Sequence, residues 1–218
     1  MTNGMPDPMD LYRKATSRAS ELFAGTKPAQ LHAQTPCTEW DVATLMRHFI
    51  GGQQFTGRLL KGDAADGLGF GSPATIEPID ADLGKLSDAY AISLESVMGA
   101  VRDPSSMSRN IVTPAGEMTG GQFLVPSFMD QMIRSWDLAK ATGQDNQLDP
   151  GLVEACHNMF VPTGAFEGAR AHGLIGPKID VPESANLQSK LLGVSWPPGV
   201  GGGRRAAPKK PVHLCYHA

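Results

Sequence analysis

The sequence predicts an all-α fold, a bundle of about four helices with one long crossover. Apolar residues recur at spacings of three and four in four stretches of about 15 to 24 residues each, the signature of helices with one buried face. Between the second and third stretches, residues 62–79 hold Gly62, Gly67, Gly69, Gly71, Pro73 and Pro78 with little periodicity, which reads as a long connection over the surface.

Residues 10–24 form the first predicted helix, with Leu11, Ala15, Ala19 and Leu22 on one face and Gly25 closing it. In Gln34-Thr-Pro-Cys-Thr-Glu-Trp-Asp, Pro36 keeps the chain extended, Thr38 is placed to cap the second helix, and Glu39 and Asp41 suit its first turn. Leu45, His48, Gly52, Phe55 and Leu59 then mark an inward seam, so His48 points to the core. Gly51 and Gly52 weaken helix propensity, and close approach of another element at the level of His48 would account for them. Gly62 ends this helix.

A third helix is expected from about Asp80, with Leu83, Leu86, Tyr90, Leu94, Val97 and Val101 on one face, stopping before Pro104. Ile111 to Met118 is a short β-like or turn segment around Pro114 and Gly116. The fourth long helix carries Phe128, Met129, Met132, Ile133, Trp136 and Ala139 and stops at Gly143; Pro126 means that it starts near Ser127 or has a kinked earlier turn. Beyond it, helices are expected over Pro150 to Phe160, Ala165 to Ala171 and Ala185 to Leu192, with an extended segment after Gly173. Residues 194–218, rich in glycine, proline and basic residues, read as a flexible tail outside a domain spanning residues 8–193.

Composition narrows the function. The 218 residues carry a formal charge of -3, and no basic cluster lies in the first 190, so no nucleic-acid partner is expected. No apolar run approaches the ~20 residues of a membrane helix, and no secretory leader is visible, so a cytoplasmic protein is expected with no membrane association. Cys37, Cys156 and Cys215 form no CxxC pair, which fits a reducing compartment better than a disulfide framework.

Thr35-Pro-Cys-Thr-Glu-Trp-Asp-Val with His48 following, and Ser135-Trp-Asp-Leu-Ala-Lys-Ala-Thr-Gly-Gln-Asp, resemble the two signature stretches of DinB/YfiT-like proteins. The branch most similar contains the metal-binding N-terminal domain of mycothiol-dependent maleylpyruvate isomerase, and the likeness runs from about residue 8 to Gly193. The resemblance implies a four-helix bundle, a divalent metal (zinc or nickel-like), a low-molecular-weight thiol as small-molecule partner, thiol-dependent transferase or isomerase chemistry, and a homodimer. It places the metal on His48 and on Asp130, the first position of an i, i+4 pair. Its second position is Arg134, where the family's pattern has histidine. Arginine has donors only and stays protonated, so it is no ordinary ligand.

Two readings follow. In one, a divalent metal at His48 and Asp130 serves a thiol-using transferase or isomerase, with His157 as a candidate third ligand. In the other, the bundle is non-catalytic and metal-free, a small-molecule-binding or dimerisation protein in which the Arg134 guanidinium replaces the ion. Each candidate also has a plain structural role: a core histidine for His48, an exposed helix pair contributing ~0.2–0.5 kcal/mol for Asp130 and Arg134, packing for Cys37, Trp40 and Trp136, and a hydrogen bond to backbone or to a neighbouring basic group for Asp137. Gly201 to Gly203 with Arg204 and Arg205 lack the strand and helix a phosphate loop requires.

Overall fold

The structure, a computed structural model, describes residues 6–37, 40–63, 79–113, 116–171 and 175–195. Helix α1 spans Pro8–Gly25, α2 Val42–Lys61, α3 Leu83–Val101, α4 Pro104–Ser108, α5 Gly120–Thr142, α6 Pro150–Phe160, α7 Ala165–Ala171 and α8 Leu187–Val194. Strands β1 (Asn110–Thr113) and β2 (Gly116–Thr119) pair antiparallel as a hairpin between α4 and α5. Among the described residues the fold is thus all-α but for this hairpin. No helix among the described residues is long and apolar enough to cross a membrane.

Four long helices close a ring. Helix α1 packs along α5, α5 on α2, α2 along α3, and α3 against α1. The crossover from α2 to α3 includes residues 64–78, and the glycines and prolines read there lie outside the described residues. So do Thr38, Glu39, Pro114 and the tail from Trp196.

Helix ends follow local chemistry. Asp7, Asp41, Asp82, Asp103 and Asp149 each cap a helix by accepting a backbone N–H. Helix α2 therefore starts at Val42 behind Asp41, three residues later than a Thr38 cap would place it. Gly62 and Gly143 close α2 and α5 in the left-handed conformation, at φ of 102° and 66°.

Helix α3 ends at Val101, before Pro104 as expected, and Pro104 also opens the short helix α4 at its first position, where a missing N–H costs nothing. Helix α5 begins seven residues ahead of Ser127, because Thr119 and Gln122 form a reciprocal capping box. Pro126 then lies inside the helix, which loses one backbone bond there. At the start of α5, a methyl on Gly120 would collide with the Ser106 carbonyl, so only glycine lets α4 and α5 meet.

The core divides into two apolar clusters. One gathers Leu11, Phe55, Leu59, Val97, Phe123 and Phe128, and the other Leu22, Phe23, Leu45, Phe49, Leu86 and Leu138. Each ring helix passes from one cluster to the other across buried polar residues: Thr16 on α1, Gln53 on α2, Ser93 on α3, and Gln131 with Arg134 on α5. The bundle thus carries a polar layer at mid-height.

Candidate functional site

This layer contains a chain of hydrogen bonds joining α1, α2, α3 and α5. Tyr12 donates its hydroxyl to Gln53 Oε1. Tyr90 donates to Gln131 Oε1 at 3.2 Å, and Gln53 Nε2 stands 3.4 Å from the Tyr90 hydroxyl. All four side chains are buried.

Burial pushes the Tyr12 and Tyr90 hydroxyls above the ordinary tyrosine value, and the charge of Asp130 adds to the effect at Tyr12. Because the folded values exceed the unfolded value of ~10, stability from these hydroxyls is fully present below that pH and is lost as pH rises toward the folded values. Unfolding free energy should fall above pH ~10 by about 1.4 kcal/mol per pH unit for each tyrosine. Urea midpoints at pH 9, 10 and 11 for the native chain and a Tyr12→Phe variant test this. Equal slopes in the two proteins would rule out the contribution of Tyr12.

Next to the tyrosine chain stands a charged cluster. Helix α2 turns His48 inward, and its Nε2 lies 3.2 Å from both carboxylate oxygens of Asp130 on α5. Arg134, one turn beyond Asp130, donates from Nη1 to Asp137 Oδ2 at 2.8 Å, and its Nε is 3.5 Å from Asp130 Oδ1. The relative exposures of His48, Asp130, Arg134 and Asp137 are 0, 2, 2 and 1%. Trp40 covers them: its ring centroid is 4.8 Å from that of His48 and 5.5 Å from the guanidinium carbon of Arg134, close enough for cation–π attraction.

The two carboxylates respond oppositely. Burial pushes Asp130 up, but His48 and Arg134 together outweigh it and hold the carboxyl below the usual range. At Asp137 burial prevails over the pull of Arg134, aided by the charge of Asp130, and the value rises. Asp130 is therefore the firmer anion of the pair.

The structure brings together His48, Asp130 and Arg134, the three positions singled out in the sequence. It also adds Asp137, which makes the shorter contact to Arg134. His157 is not part of the group: it lies on α6, which packs on α8 and α1, and its Nδ1 is 3.3 Å from Asn158 Oδ1. Cys37 and Trp40 are buried in the second apolar cluster, while Trp136 is partly buried with Lys140 Nζ 5.8 Å from its ring centroid. Gln53 and Gln131 were not anticipated, although a glutamine amid the apolar residues of α2, beside Gly51 and Gly52, was a visible signal.

The donor set does not fit the metal that the resemblance implies. Catalytic zinc sites take three protein ligands, and here the third position presents a guanidinium that can only donate. Among the described residues, no group of three His, Cys, Asp or Glu side chains stands together to hold an ion.

Comparison with known proteins agrees with the fold. The family model described as the mycothiol maleylpyruvate isomerase N-terminal domain matches residues 12–139. Two uncharacterized proteins, from two strains of Mycobacterium tuberculosis, are 30% identical over 195 residues, covering 88% of this chain and 92% of theirs. The crystal structure of the mycothiol-dependent maleylpyruvate isomerase superposes with a TM-score of 0.58 at 15% identity, covering 88% of this chain and 80% of that one. A histidine-to-alanine mutant of that enzyme gives 0.53 at 13% identity, over 68% of this chain and 65% of the mutant's. At such identities the likeness is one of fold. The family model, by contrast, covers more than half of the sequence, and the chain belongs to the mycothiol maleylpyruvate isomerase N-terminal domain family, on a DinB-like helical bundle.

Proposed function

We propose that this protein binds a low-molecular-weight thiol or a related small molecule without a metal of its own, with the fixed charge of Arg134 in the place of the ion. The observation that carries this reading is the buried guanidinium, 2% exposed and bonded to Asp137 at 2.8 Å. Family membership supports a thiol-related ligand. Activating a thiol needs a net positive field to stabilise the thiolate. Here Asp130 and Asp137 flank the one guanidinium and offset its charge, which favours binding over turnover.

The alternative is a thiol-dependent transferase or isomerase with a divalent metal, zinc or nickel-like, on His48 and Asp130. It is favoured by the burial of both side chains and their 3.2 Å approach. A metal bound there would lower the pKa of a thiol.

Calorimetric titration with a low-molecular-weight thiol such as mycothiol, before and after a chelator wash, separates the two. Binding should survive the chelator. Binding that disappears with the chelator and returns with zinc or nickel would establish the metal-dependent alternative, and no binding in either state would exclude both.

A further inference from the structure

Helices α1 and α3 meet less closely than the other neighbours in the ring, and a groove of about 440 Å³ runs between them. Small-molecule pockets occupy roughly 300–1,000 Å³, so the groove is large enough for one. It follows α1 from Met9 to Ser20, roughly 16 Å of helix. Tyr90 of α3 stacks on Phe23 at 4.4 Å, while Met98 and Val101 share the groove with Met9. The two helices therefore run in opposite directions, and α3 ends beside the start of α1.

The chemistry of the lining differs from wall to wall. Leu94 and Met98 of α3, both half-buried, form an apolar wall, and an unbranched methionine adapts to an irregular ligand. On the α1 wall, Thr16 donates its hydroxyl to the Tyr12 carbonyl at 2.9 Å, and Ser20 donates to the Thr16 carbonyl at 3.0 Å. Both protons are turned back to their own helix, which leaves the exposed Ser17 as the one free hydroxyl donor of the lining among the described residues.

The charges stand at one end, and both are positive. Arg13 gives Nη1 to Asp10 at 2.8 Å, and the rest of its guanidinium has no partner among the described residues. Arg102 follows the last residue of α3, and its side chain has no partner among the described residues. Its neighbour Asp103 is engaged elsewhere, accepting from the Ser105 backbone N–H at 2.9 Å and from the Ser105 hydroxyl at 2.7 Å.

We infer that the α1–α3 groove binds a straight-chain aliphatic carboxylate, with its head on Arg13 and Arg102 and its chain along Leu94 and Met98. A guanidinium fork matches a carboxylate with two parallel hydrogen bonds. A cationic head would meet two like charges, and a second polar group farther along the chain would lie against the apolar wall. This ligand is separate from the thiol at the polar layer and needs no metal.

Titration calorimetry on the native chain compares hexanoate, octanoate and decanoate with octan-1-ol and octyltrimethylammonium, all below their micelle concentrations. Decanoate should bind at about one per chain, and each added methylene should tighten binding about two- to fourfold. The alcohol and the ammonium should bind about fivefold or more weakly than octanoate. Arg13→Gln and Arg102→Gln should each weaken the carboxylates about two- to fivefold and leave the alcohol unchanged. Met98→Asp, which sets a charge on the apolar wall, should weaken decanoate about tenfold or more.

An absence of saturable decanoate binding overturns the proposal, as does an ammonium that binds as tightly as the carboxylate. Decanoate affinity that is unchanged in both arginine variants, or in a folded Met98→Asp, puts the ligand elsewhere and overturns it too. If circular dichroism shows that Met98→Asp has unfolded, the head-group comparison on the native chain and the two variants at exposed arginines decide.

Discussion

Arg134→Ala should lower the unfolding free energy by about 3–5 kcal/mol, the range for removing one partner of a buried ion pair. The guanidinium lies between Asp137 at 2.8 Å and Asp130 at 3.5 Å, at 2% exposure. Truncation removes the cation and leaves both carboxylates in a cluster that excludes water. Urea denaturation gives the loss directly. A double-mutant cycle with Asp137→Asn should return a coupling of about 0.5–3 kcal/mol, because removing the Asp137 charge relieves part of the damage. A loss under about 1 kcal/mol would mean that the cluster is hydrated or relaxes freely, and the view of Arg134 as a structural cation would fail.

A loss of similar size, about 3–5 kcal/mol, is expected for Phe49→Ala. Phe49 is fully buried, next to His48 in sequence, and stands edge-on to Phe23 at 5.4 Å and to Tyr90 at 6.0 Å. Its removal loses the transfer free energy of the ring and opens a cavity between α1, α2 and α3. Because Tyr90 also belongs to the hydrogen-bonded chain, the cavity would loosen the Tyr90 to Gln131 contact. The urea midpoint should fall with little change in slope. A loss below about 2 kcal/mol would show that the second cluster collapses readily around the gap.

Features governed by neighbouring residues were legible in the sequence. Gly62, Gly143 and the α6 boundaries at Pro150 and Phe160 stand where periodicity and terminal residues put them, because caps and stops act within one turn. Pro104 was harder, since proline both ends helices and begins them, and only the following residues joined to Asp103 decide for α4. The start of α5 depended on weighing one interior proline against a capping box. The box prevails because it satisfies two N–H groups, while the proline forfeits one bond.

At the site, the facing of Asp130 and Arg134 could be read from their separation along one helix, and the inward turn of His48 from the seam of α2. That Asp137 would make the shorter contact could not be read: i+3 and i+4 partners compete within one turn, and the rotamer chosen under Trp40 decides between them. The glutamine and tyrosine contacts were hidden for a different reason. Tyr12, Gln53, Tyr90 and Gln131 come from four helices far apart in sequence, and no local spacing links them.

The polar layer also fixes how the helices are aligned. The two apolar clusters have similar chemistry, so a slip of α2 by one turn, about 5.4 Å, would still set aliphatic groups on aliphatic groups. It would, however, carry Gln53 to the level that Phe49 occupies against Phe23 and Tyr90, and part it from the Tyr12 hydroxyl. Each stranded polar group would cost about 1–3 kcal/mol. A purely apolar interior would tolerate several alignments of nearly equal energy, whereas this bundle has a single phase in which all four helices can meet.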